Sequence, residues 1–263
     1  MTAYYNEFDP YAAQWLRNLI DAGLIPAGDV DTRSIEDVIP NELRGYTQCH
    51  FFAGIGGWPL ALRLAGWPDS RPVWTGSCPC QPFSQAGARA GFDDQRHLWP
   101  SWLHLIRECR PSEIFGEQVA SKVADPWVDL VQADLEGVGY AFGCVPFPAA
   151  AVGAPHVRDR LYWVAHANDA RSQGHRRPGW VGSSEGWAPP TGYAPTGWVG
   201  ECITDRAGNT RLIEPGTRPL AHGVSGRVGR LRAYGNAIVP QAGAEFIAAY
   251  IEAVMAAECQ EAA

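Results

Sequence analysis

The segment Gly76-Ser77-Cys78-Pro79-Cys80-Gln81-Pro82-Phe83-Ser84 sets two cysteines and two prolines in a short loop after an apolar run. A cysteine held rigidly at such a place can act as a thiolate nucleophile if its surroundings lower its pKa. A buried pair of thiols is the alternative. A metal site is not expected, because no second Cys/His pair offers sensible ligand spacing. The other segment suited to chemistry is Phe51-Phe52-Ala53-Gly54-Ile55-Gly56-Gly57, between a strand-like and a helical pattern. Glycines there let the backbone approach a ligand closely, as in nucleotide sites at the carboxyl ends of sheet strands. Pro59 stands where the third glycine of a dinucleotide fingerprint would be, which weakens a nicotinamide oxidoreductase reading and leaves a ligand loop or a plain tight turn.

Three strand-like openings lead into helical patterns or loops and would position these segments. Thr2–Phe8 alternates toward a helix at Pro10–Ala22, Gln48–Phe52 runs into the glycines and a helix through Ala65, and Pro72–Gly76 feeds the cysteine loop. Further on, Trp99–Glu108 and Pro126–Glu136 read as helices, and Glu113–Gly116, Ala141–Val145 and Arg160–Ala165 as strands. Such alternation predicts an α/β fold with a mainly parallel sheet and helices on both faces. Residues 167–230 are rich in Gly, Pro, Ser, Thr, Trp and Arg without helical or strand periodicity, which predicts an irregular inserted module, with disorder as the alternative. Glu245–Ala257 reads as a final helix packing back on the core. The expected organisation is a catalytic and cofactor-binding domain over 1–165, a small module over 166–230 and a returning segment over 231–263.

A chain of 263 residues with 46% hydrophobic and 19% charged residues can bury a substantial core. The beginning, MTAYYNEFDP, lacks a basic region followed by an apolar core, and no stretch is apolar for the length of a membrane span, so a cytoplasmic protein with no membrane partner is expected. Seven scattered cysteines favour reduced thiols over a disulfide framework. Net charge is −7, which speaks against a nucleic-acid binder. From His166 to Arg232, however, nine arginines face five carboxylates, so that segment carries +4 and the remainder −11. A basic module sits inside an acidic protein.

FFAGIGG followed by PCQPFS resembles the first and fourth motifs of the DNA cytosine-5 methyltransferase family. Gly116-Glu117-Gln118-Val119 is similar to its Glu-Asn-Val motif, and Gly153-Ala154-Pro155-His156-Val157-Arg158-Asp159-Arg160 to its Gln-x-Arg-x-Arg motif. Tyr234-Gly235-Asn236-Ala237-Ile238-Val239-Pro240 resembles its closing Gly-Asn motif, and GFDDQRHLW at Gly91–Trp99 the mobile loop that closes over DNA. The order departs from the family. Tyr5-Asn6-Glu7-Phe8-Asp9-Pro10 resembles the second motif and Gly28-Asp29-Val30 the third, yet both precede the glycine loop. The chain therefore resembles a permuted member, with strands two and three first, then one, then four. If strand one crosses directly to strand four, the right-handed crossover rule places helix 58–66 on the face opposite helix 10–22.

The resemblance implies transfer of a methyl group from S-adenosyl-L-methionine, leaving S-adenosyl-L-homocysteine, to C5 of a cytosine in double-stranded DNA. C5 of cytosine is a poor nucleophile until a thiolate adds at C6. Cys80 is implied for this, since it precedes Gln81 as the family cysteine does, with Cys78 as the other candidate. Glu117 would protonate or hydrogen-bond N3. Arg158 and Arg160 would orient the base, Arg160 near O2, with a structural role as the alternative for Arg158. The target must leave the stack to reach such a pocket. Gln81, Ser84, Arg89 and Arg96 fall where the family contacts DNA. For the cofactor, the resemblance puts Glu7 on the ribose hydroxyls, Phe8 and Phe52 against adenine, Asp29 on its amino group, and Gly54, Gly56, Gly57, Pro79 and Asn236 around the methionine end. Phe8 and Phe52 also suit a core, and Glu7 and Asp29 suit an ordinary surface.

Gln118 in place of asparagine and His156 in place of glutamine depart from the family and imply altered supporting contacts. The protein is expected to be monomeric. The rivals are an RNA cytosine-5 methyltransferase of the same fold and a catalytically inactive DNA-binding homologue. The basic module favours duplex DNA over RNA, and the intact Cys80, Glu117, Arg158 and Arg160 argue against decay.

Overall fold

The computed structural model describes residues 2–79, 98–120, 124–154, 156–167, 202–204, 210–212 and 235–261. Its centre is a seven-stranded sheet. In chain order the strands are β1 (Ala3–Asn6), β2 (Gly28–Asp31), β3 (Gln48–Phe51), β4 (Val73–Gly76), β5 (Glu113–Val119), β6 (Tyr140–Pro148) and β7 (Asp159–Ala167). They lie side by side as β2-β1-β3-β4-β5-β7-β6. The first five run parallel, whereas β7 is antiparallel to both β5 and β6. The helices are α1 (Pro10–Asp21), α2 (Pro40–Leu43), α3 (Gly57–Leu64), α4 (Trp99–Cys109), α5 (Asp125–Gly137) and α6 (Pro240–Glu261).

Sequence chemistry accounts for the ends of these elements. Asp9 caps α1 by accepting from the backbone N–H groups of Tyr11 and Ala12 at 2.9 and 3.1 Å, and Pro10 occupies the first turn, where its missing N–H costs nothing. Strands β3 and β4 are buried along their whole length, as parallel strands covered on both faces must be.

Register assigns every side chain to a face. Tyr5, His50, Thr75 and Phe115 pair in succession and share one face, while Tyr4, Cys49, Trp74 and Ile114 share the other. The second face carries the 3-10 turn Ile35–Asp37, α2, α4 and α5 over an aromatic cluster of Trp74, Trp99, Trp102, Trp127 and Trp163. The first face carries α3 and α6, through Trp58, Ala61, Leu62 and Ile247 around Phe115 and Tyr162. Leu16 of α1 packs against Ala3 and Tyr5, so α1 is on this first face as well.

Helices α1 and α3 thus share a face, contrary to the expectation that they would oppose each other. The step from β1 to β2 runs one way across the sheet and the step from β3 to β4 the other, so two crossovers over one face have opposite hands. The β2-to-β3 connection through α2 and the β4-to-β5 connection through α4 use the other face and have the hand of β1-α1-β2. Right-handed crossovers are near universal, which makes β3-α3-β4 the left-handed exception. Packing holds the exception in place. Arg63 of α3 donates to the Gly23 carbonyl beyond α1 at 2.8 Å. The return over residues 65–72 is anchored by Trp67, which is 1% exposed and meets Phe115 edge-on at 5.6 Å.

Within the segment expected to lack strands, Cys202–Thr204 pairs antiparallel with Thr210–Leu212 as β8 and β9. The sequence signals were short but present: β-branched residues on both sides of Gly208-Asn209, a turn dipeptide.

Candidate active site

The carboxyl ends of β1, β3, β4 and β5 open on one edge of the sheet. Because β7 is antiparallel, its first residues reach the same edge, with Arg160 opposite Val119 and Tyr162 opposite Glu117. Glu117 therefore stands near the end of β5 with both arginines of the following motif beside it. Arg160 Nε lies 2.7 Å from Glu117 Oε1, and the two side chains are 19% and 9% exposed. Burial pushes the Glu117 carboxyl above the ordinary carboxylate range, and Arg160, the Ser77 hydroxyl and Arg158 pull it back, in that order. The outcome is a carboxyl that holds its proton to higher pH than a solvated glutamate.

Arg158 does different work. Its Nη2 donates to the Gly235 carbonyl at 2.9 Å and also to the Ala237 carbonyl. This guanidinium ties the start of β7 to the closing segment that leads into α6. The backbone of Arg158 has φ 35°, a left-handed conformation that a side-chain-bearing residue adopts at a cost. Asn236 lies on this tethered segment and is exposed, while Ile238 and Val239 anchor it in the core.

The loop after β4 is held from the β5 side. Gln118 is 3% exposed; its Nε2 donates to the Cys78 carbonyl at 3.2 Å, and its Oε1 accepts from the backbone N–H of Val119 at 2.9 Å. The longer amide side chain found in place of asparagine thus fixes the backbone just before Pro79. Cys78 is 3% exposed and packs in the tryptophan-rich core, so it is a core residue. Cys80, Gln81, Ser84, Arg89 and Arg96 lie outside the described residues, as does the rest of the 80–97 loop.

On the other side of the edge, Glu7 follows β1 and bridges two elements. Its Oε2 accepts from Gly54 N–H at 2.6 Å and its Oε1 from Asp9 N–H at 2.8 Å. The carboxylate thereby holds the glycine turn against the start of α1. Gly54 and Gly56 have φ of 56° and 84°, which explains glycine at both positions of a turn this tight. Gly57, buried, begins α3. Phe8 is 72% exposed and presents its ring at this edge. Phe52 is half-buried with φ 49° and meets Trp102 edge-on at 5.9 Å, so part of its ring belongs to the core.

Asp29 is set back from this group. It pairs with Tyr4 inside β2, and its carboxylate accepts from Tyr46 OH at 2.7 Å. Asp31 lies level with Asn6 at the strand end and is held by Tyr4 OH at 2.8 Å and Arg33 at 2.7 Å. Three contributors went unnoticed in the sequence: Asp31, Ser77 and Trp58. Ser77 stands in the cysteine loop and Trp58 directly after the glycines, so adjacency was the available signal. Among the described residues, no group of three His, Cys, Asp or Glu is placed to hold a metal ion, and no helix is long and apolar enough to cross a membrane.

Residues 68–185 match the family of C-5 cytosine-specific DNA methylases. This part of the chain is similar to that family. It is similar to the type II methyltransferase M.AluI of Cellulosimicrobium cellulans, with 29% identity over 60% of this chain and 32% of the relative. It is similar also to M.HhaI of Haemophilus parahaemolyticus, with 26% identity over 54% of this chain and 55% of the relative. The chain thus spans about half or less of the length of these relatives. Among solved structures it is similar to the Dnmt2 methyltransferase of S. pombe, at 16% identity and a TM-score of 0.38 over 69% of this chain and 58% of that one.

Proposed function

We propose that this chain belongs to the C-5 cytosine-specific methylase family and is a DNA cytosine-5 methyltransferase that takes its methyl group from S-adenosyl-L-methionine. The observation that carries the reading is the buried Glu117–Arg160 pair beside the loop that leads to Cys80. A carboxyl whose hold on a proton is strengthened by burial can donate to N3 of a cytosine as charge builds there, and Arg160 beside it can meet O2. Cys80 supplies the thiolate that adds at C6 of a base turned out of the duplex. The burial of Cys78 leaves Cys80 as the cysteine of this loop suited to that role. Arg158 acts through the closing segment rather than on the base.

The residues at the other side of the edge fit the cofactor. An exposed aromatic ring at Phe8, a carboxylate at Glu7 and a glycine turn with positive φ at Gly54 and Gly56 suit a purine, ribose hydroxyls and a close backbone approach, respectively. Phe52, Gly57, Pro79 and Asn236 complete the set, and Asp31 is better placed than Asp29 to reach from β2. When bound, the sulfonium supplies an activated methyl group. Residues 166–230 would serve as the target-recognition module on duplex DNA, with Gln81, Ser84, Arg89 and Arg96 contacting the strand near the base. The protein would act as a cytoplasmic monomer.

The order of motifs is part of the proposal. The sheet order supports a permutation in which β1 and β2 are the family's second and third strands and β3 its first.

The test is transfer of labelled methyl groups from S-adenosyl-L-methionine to duplex DNA and to RNA, with Cys80→Ser as control. Label at C5 of cytosine in DNA that vanishes in the variant is expected. Transfer to RNA alone, or cofactor binding without transfer, would overturn the assignment in favour of an RNA enzyme or an inactive homologue.

A further inference from the structure

Glu117 is held by more than its arginine. Ser77, one residue beyond the Gly76–Gly116 pair of β4 and β5, stands beside Glu117, and its hydroxyl favours the ionised carboxyl. The Ser77 Oγ in turn accepts from Trp58 Nε1 at 3.1 Å. An indole N–H can only donate, and a serine hydroxyl has one proton. With its oxygen accepting from Trp58, the hydroxyl keeps its proton available for Glu117.

Trp58 is a rigid donor. It is 2% exposed, stacked on Phe115 at 6.3 Å and edge-on to Tyr162 at 6.1 Å. It is also the second residue of α3, directly after the glycine turn that Glu7 holds. The chain Trp58–Ser77–Glu117 therefore joins the cofactor side of the edge to the base side. The charged and titratable groups facing Glu117 are Arg160 and Arg158 at the start of β7 and Tyr162 within it; Ser77 approaches from the end of β4 and α3 contributes Trp58.

We propose that Ser77, oriented by Trp58, is a positioning residue that fixes the rotation of the Glu117 carboxyl. The inference rests on the reading of Glu117 as the acid for N3. Arg160 grips one oxygen of the carboxyl, and a second contact from β4 is what defines how the group is turned. A hydroxyl that donates to a carboxylate also favours its ionised form and opposes burial.

The experiment uses the full chain with Ser77→Ala, Ser77→Thr and Trp58→Phe. Two readouts are taken: kcat and KM against pH with duplex DNA, and a carbon-13 NMR titration of the Glu117 carboxyl. Ser77→Ala should lower kcat about tenfold, less than the roughly hundredfold or greater effect of losing a general acid altogether. The limb on which activity falls as Glu117 loses its proton should move to higher pH, with KM for S-adenosyl-L-methionine within about twofold of wild type, as expected when ground-state binding is untouched. The carboxyl should titrate higher in Ser77→Ala, slightly higher in Trp58→Phe, and at the wild-type midpoint in Ser77→Thr. Superimposable pH profiles and an unmoved carboxyl would overturn the inference, including the case where the variants lose only thermal stability. If wild type fails to methylate cytosine, the parent reading falls, and the NMR titration still decides whether Ser77 and Trp58 act on Glu117. Should Ser77→Ala not fold, Trp58→Phe and Ser77→Thr carry the same comparison.

Discussion

Replacing Arg158 by methionine keeps an unbranched apolar stem and removes the charge and donors. Two carbonyl acceptors, on Gly235 and Ala237, lose their partner. Hydrogen bonds from a charged group are worth about 1.5–3 kcal/mol each, so an upper estimate for the pair is roughly 3–6 kcal/mol. The bond to Gly235 is exposed, which discounts its share, and a loss of about 2–4 kcal/mol is expected. For a chain of this size that lowers Tm by roughly 5–15 °C. The segment carrying Asn236 loosens with it, so affinity for S-adenosyl-L-methionine should fall as well. Denaturation followed by circular dichroism and calorimetric binding of the cofactor measure both effects. An unchanged Tm and unchanged cofactor affinity, with kcat down a hundredfold, would refute the tether and return Arg158 to the base pocket.

Gly116→Ala would put a methyl group 2.1 Å from the indole of Trp163, which is fully buried on the paired strand, so a loss of stability of about 3 kcal/mol, the upper end of over-packing costs, should appear in denaturant titration. Phe8→Ala should weaken cofactor binding roughly tenfold, in line with the loss of one base-stacking ring, and leave Tm unmoved because the ring is exposed. His50 is fully buried between Tyr5 and Thr75, and burial lowers its pKa from 6.5 to about 3. The unfolded chain takes up a proton below about 6.5 that the folded chain refuses, so this contribution to stability is complete above that pH and is lost as pH falls toward about 3, by about 1.4 kcal/mol per unit. Denaturation midpoints across that window should fall for wild type and lose this component of the slope in His50→Phe.

Much of the sheet was legible because hydrophobic pattern and turn chemistry agree there. Pro10 after Asp9 announced α1, and Gln48–Phe52 before three glycines announced a strand ending at a ligand-type turn. Glu113–Gly116 stopped three residues early, since Glu117 and Gln118 break an apolar run that only the pairing with β7 extends to Val119. Helix α6 was read short at its start because Pro240 and Gly243 in its first turn are weak helix formers. In the site, the family resemblance named Glu117 and Arg160, each toward the base, but not that the two would pair with each other or that Arg158 would turn to backbone carbonyls. Two arginines two apart look alike in a sequence; the positive φ at Arg158 sends its side chain elsewhere. Asp29 and Asp31 are likewise indistinguishable by type, and only register shows which one reaches the strand end.

The left-handed β3-α3-β4 unit bears on the proposed permutation. If β3 were followed by β1 instead of β4, the step across the sheet would reverse, and α3 on its present face would complete a right-handed unit like β1-α1-β2. The helix stands where the unpermuted order would put it. Its apolar side, Trp58, Ala61 and Leu62, is matched to Phe115, Tyr162 and α6, and moving it across the sheet would forfeit that burial. A crossover of the rarer hand costs only a longer return, which residues 65–72 supply. A reordered chain is the direct test: residues 46–70 placed ahead of residue 3 by a short glycine-serine linker, with residue 45 joined to residue 71 by another. If the permutation is right, this chain folds to the same sheet and retains the bond from Gly54 to Glu7 and the pairing of Glu117 with Arg160. Failure to fold with linkers of several lengths would mean that the left-handed connection is required by this sequence rather than inherited from a different order.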